Sequence, residues 1–434
     1  MLASFRSRPL AQQVVIILGF IAGIIHVCVI AVLRVPYFRD FDVHREVGRR
    51  FLAGEYLYTD GLCYPYMPSA ALYFAPLALL DRGAGIALRY TVAVLCLYLT
   101  LFLLYRMVRD RSKVTPTQGF WIGAATVLLI SQFMVQDLDD GGPHLILLAI
   151  LTSGIYAVWQ GREKLGAMGF GLAIALKVSP ALFLPFFLWK RQWRLAGFAA
   201  LAASFWILLP MVWMGPGSWW SHQREWVMVA AGSSIGQETP ITVENEQRVR
   251  NQSLEQTLTR FLVTLPQDHP LRREDPGYLP ILNLPPPTAK LVIIAVMMGM
   301  VSALCWYARH PFEGRGDPAW LRETSVVMIL ALLFSPVTWV QHLVWLAPAL
   351  YLILVDVRSN AGVGTPTKIA LATYVALTLV FNYEVLGKRT FALVLSYHPF
   401  TVALLLVLGM LMVPRQTSET VCIPADRHEA ASAT

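Results

Sequence analysis

The chain has 434 residues, of which 56% are hydrophobic and only 14% are charged. Soluble domains average about 25% charged residues, so this composition excludes a soluble enzyme and indicates one polytopic membrane body. The net charge of +8 favours anionic partners, and for a membrane protein lipid phosphates fit better than nucleic acid.

Apolar stretches recur along most of the chain. About twenty helical residues cross a ~30 Å hydrocarbon core, so the sequence predicts an all-α polytopic bundle of about 10–13 membrane helices. We expect a single transmembrane domain over residues 1–413 and a disordered cytoplasmic tail over 414–434. The stretches are 12–33, 84–107, 117–136, 144–160, 166–189, 194–214, 288–308, 322–356, 367–383 and 390–413.

Two of these stretches contain a proline near their middle. Lys177-Val178-Ser179-Pro180 interrupts residues 166–189, and Ser335-Pro336 interrupts residues 322–356. Proline removes a backbone donor and disfavours a helical conformation in the residue before it. We therefore predict that each stretch forms two half-helices and turns back without crossing the membrane.

Charge in the short loops sets the expected orientation. The segment 106–113 is basic and the turn 137–143 is acidic, so the first faces the cytoplasm and the second faces outward. Two long insertions, the first outer loop 34–83 and the long outer loop 215–287, then share the extracytoplasmic face of the plasma membrane. If either broken stretch crosses the membrane once, the predicted orientation of every later segment is reversed.

The first outer loop contains an amphipathic pattern between Asp40 and Gly54, which predicts a helix lying at the membrane interface. Its first turn is Arg39-Asp40-Phe41-Asp42-Val43-His44. One interpretation makes Asp40 an N-cap and Asp42 a favourable first-turn carboxylate. The other places a partly desolvated carboxylate at the water–lipid boundary, where it can act as a general base.

Three further polar groups lie near membrane depth, where a charge costs at least ~2.5 kcal/mol. Lys177 either extends its ammonium to the interface or offers a point charge to a phosphate. Gln341-His342 follows the Ser335-Pro336 break, where a histidine can be structural or functional. The acidic Gly-Gly turn from Asp137 to His144 is expected to be a solvated loop.

The tripeptide Asn251-Gln252-Ser253 matches an N-glycosylation acceptor but opens an amphipathic stretch, so we interpret it as a helix start. The sequence contains no Gly-rich nucleotide loop and no Cys/His cluster with metal-ligand spacing. Asp40-Phe41-Asp42 offers two carboxylates, which make a weak cation site. We expect no cofactor and no metal.

Seven motifs stand in order along the chain: Asp40-Phe41-x-Val43-His44, Gly54-x-x-Leu57-Tyr58, Tyr64-x-Tyr66-x-Pro68, Pro76-Leu77, Ala175-Leu176-Lys177-x-x-Pro180, Asn251-Gln252-Ser253-Leu254 and Ser335-Pro336-x-x-Trp339-x-x-His342-x-x-Trp345. Together they resemble glycosyltransferase family 87. These GT-C enzymes include polyprenol-phosphate-mannose-dependent alpha-(1,2)-mannosyltransferases and related arabinofuranosyltransferases of actinobacteria. The chain departs from the family pattern at His44, usually Tyr, at Gln341-His342, often two histidines, and at Gly141-Gly142-Pro143-His144, which replaces a Gly-Gln-x-Asn motif.

The resemblance implies an inverting hexosyltransferase that moves a sugar from a polyprenyl-phosphate donor to a glycolipid or glycan acceptor on the extracytoplasmic side. Mannose is the sugar that the resemblance favours. It maps the family's catalytic base onto Asp40. The candidate substrate-binding residues are Arg39, Asp42, His44, Tyr64, Tyr66, Lys177, Gln341 and His342. Three alternatives remain: a secondary transporter built on broken helices, an arabinofuranosyltransferase using a polyprenyl-phosphate pentose, and a non-catalytic subunit of an envelope assembly.

Overall fold

The computed structural model describes residues 9–29, 39–58, 64–232, 251–264, 280–359 and 363–413. Within these ranges the chain is helical and contains no β-strand, which confirms the predicted all-α class. The expected disordered tail 414–434 lies outside the described residues.

The described residues of the first half of the chain form twelve α-helices, of which α2 is the predicted interfacial helix. They are α1 (Leu10–Val29), α2 (Arg39–Ala53), α3 (Pro68–Ala78), α4 (Arg82–Val108), α5 (Pro116–Leu129), α6 (Ser131–Asp140), α7 (His144–Trp159), α8 (Glu163–Leu176), α9 (Phe183–Trp189), α10 (Trp193–Leu208), α11 (Met211–Met214) and α12 (Pro216–Gly232). A 3-10 turn, Ser179–Leu182, precedes α9.

The second half adds seven described α-helices and two short irregular ones. They are α13 (Leu254–Leu262), α14 (Pro286–Tyr307), α15 (Trp320–Leu333), α16 (Ala347–Ser359), α17 (Thr365–Val375), α18 (Tyr383–Leu395) and α19 (Pro399–Met412). A 3-10 helix, Val340–Leu346, leads into α16, and a π-helical turn, Ala376–Val380, follows α17.

Four helical segments of the described chain are long and apolar enough to cross a membrane: Arg82–Val108, Trp193–Met214, Pro286–Tyr307 and Val340–Ser359. Two bent pairs also qualify when each is taken as one span. These pairs are Pro116–Leu129 with Ser131–Asp140, bent by 65°, and Arg389–Leu395 with Pro399–Met412, bent by 50°. The protein is therefore a multi-pass membrane protein.

Short side-chain caps fix where several helices begin. The Asp81 carboxylate accepts a hydrogen bond of 3.0 Å from the Ala84 backbone N–H at the start of α4. Thr115 and Gln118 form a reciprocal capping box at the start of α5, with bonds of 3.3 and 2.9 Å. Each cap satisfies an N–H group that has no partner inside its own helix.

Residues 166–189 turn back on themselves, as the sequence predicts. Helix α8 ends at Leu176, and Lys177 is extended, with φ −150° and ψ 129°. Beside the start of α8, the Gly316 N–H donates to the Trp159 carbonyl at 2.9 Å. Beyond the end of α9, Lys190 donates to the His310 carbonyl. Both ends of the broken stretch therefore meet the loop between α14 and α15, and the Lys177 break lies at the other end.

Residues 322–356 also reverse direction, but Val340–Ser359 is long enough to cross a membrane, so the second part of this stretch is longer than the half-helix that the sequence predicts. Arg322, near the start of α15, forms an ion pair with Asp356, near the end of α16. The non-helical residues between α15 and the 3-10 helix Val340–Leu346 lie at the opposite end of this pair. The bundle thus has one end where both breaks occur, the break end, and one where Lys190, Arg322 and Asp356 lie, the loop end.

Small residues allow the helices around the first break to approach closely. A Cβ added to Gly171 of α8 would meet the Ala202 Cβ of α10 at 2.5 Å and the Ala203 nitrogen at 2.6 Å. On the other side of α8, an added Cβ on Gly166 would meet a Val158 methyl group of α7 at 2.5 Å. Helices packed through small residues are typical of membrane bundles, and here they hold the Lys177 break in place.

Candidate functional site

Helix α2 brings Asp40 to its position through close packing on α3. A Cβ on Gly48 would meet the Phe74 carbonyl oxygen at 2.5 Å, so only glycine permits this contact. Val47 and Phe51 are buried and Val43 is half-buried, as the apolar face of the amphipathic pattern predicts, and Phe41 is buried as well. Asp40 lies in the first turn of the helix and is partly buried.

The other two candidates in this turn are Asp42 and Arg39. Asp42 receives two hydrogen bonds from the Arg82 guanidinium, both 2.8 Å long, in a bidentate ion pair. That pair ties the start of α2 to the start of α4. Arg39 begins the helix, but its side chain lies outside the described part of the chain.

His44 faces inward, one turn after Asp40. Its ring stacks on Phe74 with centroids 4.0 Å apart, and the edge of Tyr66 packs against it at 5.5 Å. Burial, assisted by the positive charge of Arg89, lowers the pKa of His44 to about 3, although a hydrogen bond to the Gly141 backbone opposes this. His44 is therefore a neutral ring that links α2 to the turn after α6.

The two candidate tyrosines are both buried. The Tyr64 hydroxyl donates to the Met67 carbonyl at 3.0 Å, which shapes the loop before α3. The pKa of Tyr66 is raised well above its ordinary value, first by burial and then by the negative charge of Asp40. The Asp40 carboxylate therefore lies within electrostatic reach of the Tyr66 hydroxyl.

Lys177 and His342 are in contact at the break end. The Lys177 Nζ atom is 3.1 Å from both ring nitrogens of His342 and 3.4 Å from Nε2 of His144. It also lies 6.0 Å from the centre of the Trp345 ring. Gln341 is buried beside His342 in the same 3-10 helix.

The expectation of a solvated loop from Asp137 to His144 is wrong, because both residues are buried, at 1% and 0% exposure. The Asp137 carboxylate accepts from His144 Nδ1 at 2.8 Å and from the Leu145 backbone N–H at 3.0 Å. It thereby satisfies the start of α7 and assigns the proton to Nδ1, which leaves Nε2 to accept from Lys177. Gly142 leaves room for this pair, since a Cβ there would clash with both side chains.

Arg89 lies beside these residues, although the sequence analysis does not name it as a candidate. It is 5% exposed, and its guanidinium donates to the Gly141 carbonyl at 3.3 Å and to the Tyr73 hydroxyl at 3.1 Å. Its charge also acts on His44 and Asp137. The signal was present in the sequence, because Arg89 is the only charged residue between Gly83 and Tyr105.

These contacts define one group, which we call the cationic cluster. It combines two cationic side chains with two imidazoles and one buried carboxylate, and α2 carries Asp40 and His44 to its edge. Buried cations at the ends of broken membrane helices suit an anionic ligand group such as a phosphate. The members of the cluster are Arg89, Asp137, His144, Lys177 and His342.

No group of three or more His, Cys, Asp or Glu side chains suited to a metal ion occurs among the described residues. The expectation of a metal-independent protein therefore remains a prediction for experiment.

Comparison with known proteins gives one family. The sequence model of glycosyltransferase family 87 matches residues 64–336. The chain is 26% identical over 382 residues to the polyprenol-phosphate-mannose-dependent alpha-(1-2)-phosphatidylinositol mannoside mannosyltransferase of Mycolicibacterium smegmatis, covering 80% of this chain and 77% of that protein. It is 24% identical over 340 residues to the protein of the same description from Mycobacterium tuberculosis, covering 73% and 70%. A pentamannoside mannosyltransferase of M. smegmatis is 28% identical over 316 residues, covering 69% and 64%.

Proposed function

Because the chain belongs to glycosyltransferase family 87, we propose that it transfers mannose from a polyprenyl-phosphate donor to a lipid-linked or glycan acceptor. The names of its relatives support this donor, since they describe polyprenol-phosphate-mannose-dependent enzymes, and they favour a phosphatidylinositol mannoside as the acceptor. The observation that carries the proposal is the cationic cluster, which lies where the two broken stretches reverse direction. The proposal places Asp40, in the first turn of α2, at the edge of this cluster.

The cluster is suited to the phosphate of the donor. Lys177 donates a hydrogen bond to Nε2 of His144 and contacts the ring of His342, so its ammonium is oriented by imidazoles instead of being neutralised by an adjoining carboxylate. Negative charge grows on the phosphate as the glycosidic bond breaks, and fixed positive groups stabilise that charge most when they are oriented beforehand. Lys177, His342 and Arg89 have this role in the proposal.

Asp40 is the general base of the proposed reaction. It removes the proton of the acceptor hydroxyl while that oxygen bonds to the anomeric carbon from the face opposite the phosphate. The bond between the anomeric carbon and the phosphate oxygen breaks in the same step, and its electron pair leaves with the polyprenyl phosphate. A single displacement inverts the anomeric centre, and no cofactor enters the balance.

We further propose that the break end faces the extracytoplasmic side. Basic residues from two segments meet at the loop end. Lys190 donates to the carbonyl of His310, which follows Arg309 directly in the sequence. Short basic loops favour the cytoplasm. At the break end, irregular backbone between packed helices can border a cavity without exposing polar groups to lipid, which gives the isoprenoid chain a place to lie.

The test is a transfer assay with the purified chain in liposomes. We expect radiolabelled mannose to pass from polyprenyl-phosphate mannose to a phosphatidylinositol mannoside, with inverted anomeric configuration and a rate that EDTA leaves unchanged. Transfer of arabinose from polyprenyl-phosphate arabinose, without mannose transfer, would contradict the donor. Flux of a labelled solute without donor lipid or product would instead identify a transporter, and a rate lost to EDTA and restored by Mg²⁺ would show a metal requirement.

A further inference from the structure

Asn251 binds the irregular loop that precedes His342. Its amide Nδ2 donates to the Pro336 carbonyl at 2.9 Å, and its Oδ1 accepts from the Thr338 N–H at 2.9 Å. The same Oδ1 also accepts from the Ser253 N–H at 3.1 Å. One side chain thus holds two points of the loop 334–339 against the start of α13.

The backbone next to Asn251 completes this attachment. The Gln252 N–H donates to the Thr338 carbonyl at 2.6 Å, so both backbone groups of Thr338 have partners in the Asn251-Gln252 pair. The Thr338 hydroxyl donates to the Leu332 carbonyl at 2.6 Å and so also satisfies the end of α15. Buried backbone groups outside helices need such partners, and this loop takes them from a distant segment.

The attached loop leads directly to the His342 ring. The Trp339 N–H donates to His342 Nδ1 at 3.2 Å, and the His342 N–H donates to the Trp339 carbonyl at 3.0 Å. These two bonds fix the ring relative to Trp339, which follows Thr338 immediately. A displacement of Thr338 therefore moves the ring that contacts Lys177.

Gln252 joins the same segment to a further helix break. Its Nε2 donates to the Leu395 carbonyl at 3.2 Å, and its Oε1 accepts from the Phe400 N–H at 3.3 Å. The Thr401 hydroxyl donates to the Gln252 carbonyl at 2.8 Å. The start of α13 is therefore anchored on α18 and α19, which gives Asn251 a fixed base from which to hold the loop.

We propose that Asn251 is a positioning residue, which sets the loop 334–339 so that His342 faces Lys177 and the donor phosphate. The inference rests on the proposed function, because it assigns to Asn251 an effect that passes through His342. It also gives the Asn-Gln-Ser tripeptide a role in the reaction: the amide nitrogen that a glycan would occupy donates to Pro336.

The first test replaces Asn251 and measures transfer and stability together. Asn251→Ala is expected to lower kcat about 10- to 100-fold, because displacements of about 1 Å in a catalytic group have effects of this size. Asn251→Asp keeps the acceptor oxygen for Thr338 but loses the donor to Pro336, so a smaller loss is expected. Thr259→Ala is the control, since it removes a 2.8 Å bond within the same helix, to Glu255, and should leave kcat unchanged.

A double-mutant cycle separates positioning from general support of the fold. If Asn251 acts through His342, Asn251→Ala lowers kcat in the wild-type background but has little further effect in His342→Ala. Multiplicative losses in the double variant would overturn the positioning role while leaving the proposed function standing. Full activity of His342→Ala alone would overturn both this inference and the role of His342 in the proposed reaction.

Discussion

Lys177 and Lys190 show at the scale of single residues how environment separates a lysine proposed to bind a phosphate from one paired with a carboxylate. Lys190 is 1% exposed and forms a 2.7 Å ion pair with Glu323. Lys177 instead contacts the imidazoles of His144 and His342, which leave its positive charge available to a phosphate. Both lysines lie in or beside apolar stretches, so sequence pattern alone does not distinguish them.

The lowered pKa of His44 makes the stability of the folded protein depend on pH. Its pKa in the folded protein, about 3, lies below the ordinary value of about 6.5, so the unfolded chain binds a proton more readily. Above pH ~6.5 the titration of His44 does not change the free energy of unfolding. Below that pH it lowers the free energy of unfolding by up to about 1.4 kcal/mol per pH unit.

His44→Phe keeps a ring on Phe74 but removes the titrating group. Melting temperatures measured from pH 7.5 to 5.0 should fall less steeply for this variant than for the wild type. Parallel curves for the two proteins would contradict the assignment of a neutral, buried His44.

At the scale of helices, the places where the two broken stretches reverse were predictable from sequence, and the buried contacts around Lys177 were not. Pro180 and Pro336 stop a helix through local geometry, so the sequence is enough to locate both breaks. Asp137 and His144 look like a polar turn, and only contact with Lys177, 33 residues beyond His144, shows that they are buried. Burial depends on distant partners, which no local pattern contains.

The buried ion pair between Lys190 and Glu323 joins the end of α9 to α15. Glu323→Ala leaves a buried, unpaired ammonium and should destabilise the protein by about 3–5 kcal/mol. The double variant Lys190→Met with Glu323→Leu replaces the pair with apolar groups and should recover most of that loss. Thermal unfolding in detergent measures both. Equal destabilisation by the single and double variants would contradict a buried pair.

At the scale of the whole molecule, the two fold-backs separate the proposed reaction site from the ion pairs that join the helices at the other end. They put the cationic cluster and the Asp40 turn at one end, and the ion pairs of Lys190 and Arg322 at the other. In the proposed orientation the break end is outside, where a polyprenyl-phosphate sugar can be used without access to cytoplasmic nucleotides.

Labelling of single cysteines in a cysteine-free background tests that orientation. Ala53 and Glu313 are both exposed, the first at the end of α2 and the second in the loop between α14 and α15. A membrane-impermeant maleimide added to intact cells should label Ala53→Cys, and Glu313→Cys only after lysis. The reverse pattern would place the cluster on the cytoplasmic side.

The most direct test of the central claim compares Asp40→Asn with Asp42→Asn in the liposome assay. Loss of a general base should lower kcat of Asp40→Asn about 100- to 10,000-fold with little change in thermal stability. Asp42→Asn should weaken only the pair with Arg82 and keep most of the activity. An active Asp40→Asn beside an inactive Asp42→Asn would contradict the assignment of Asp40 as the base.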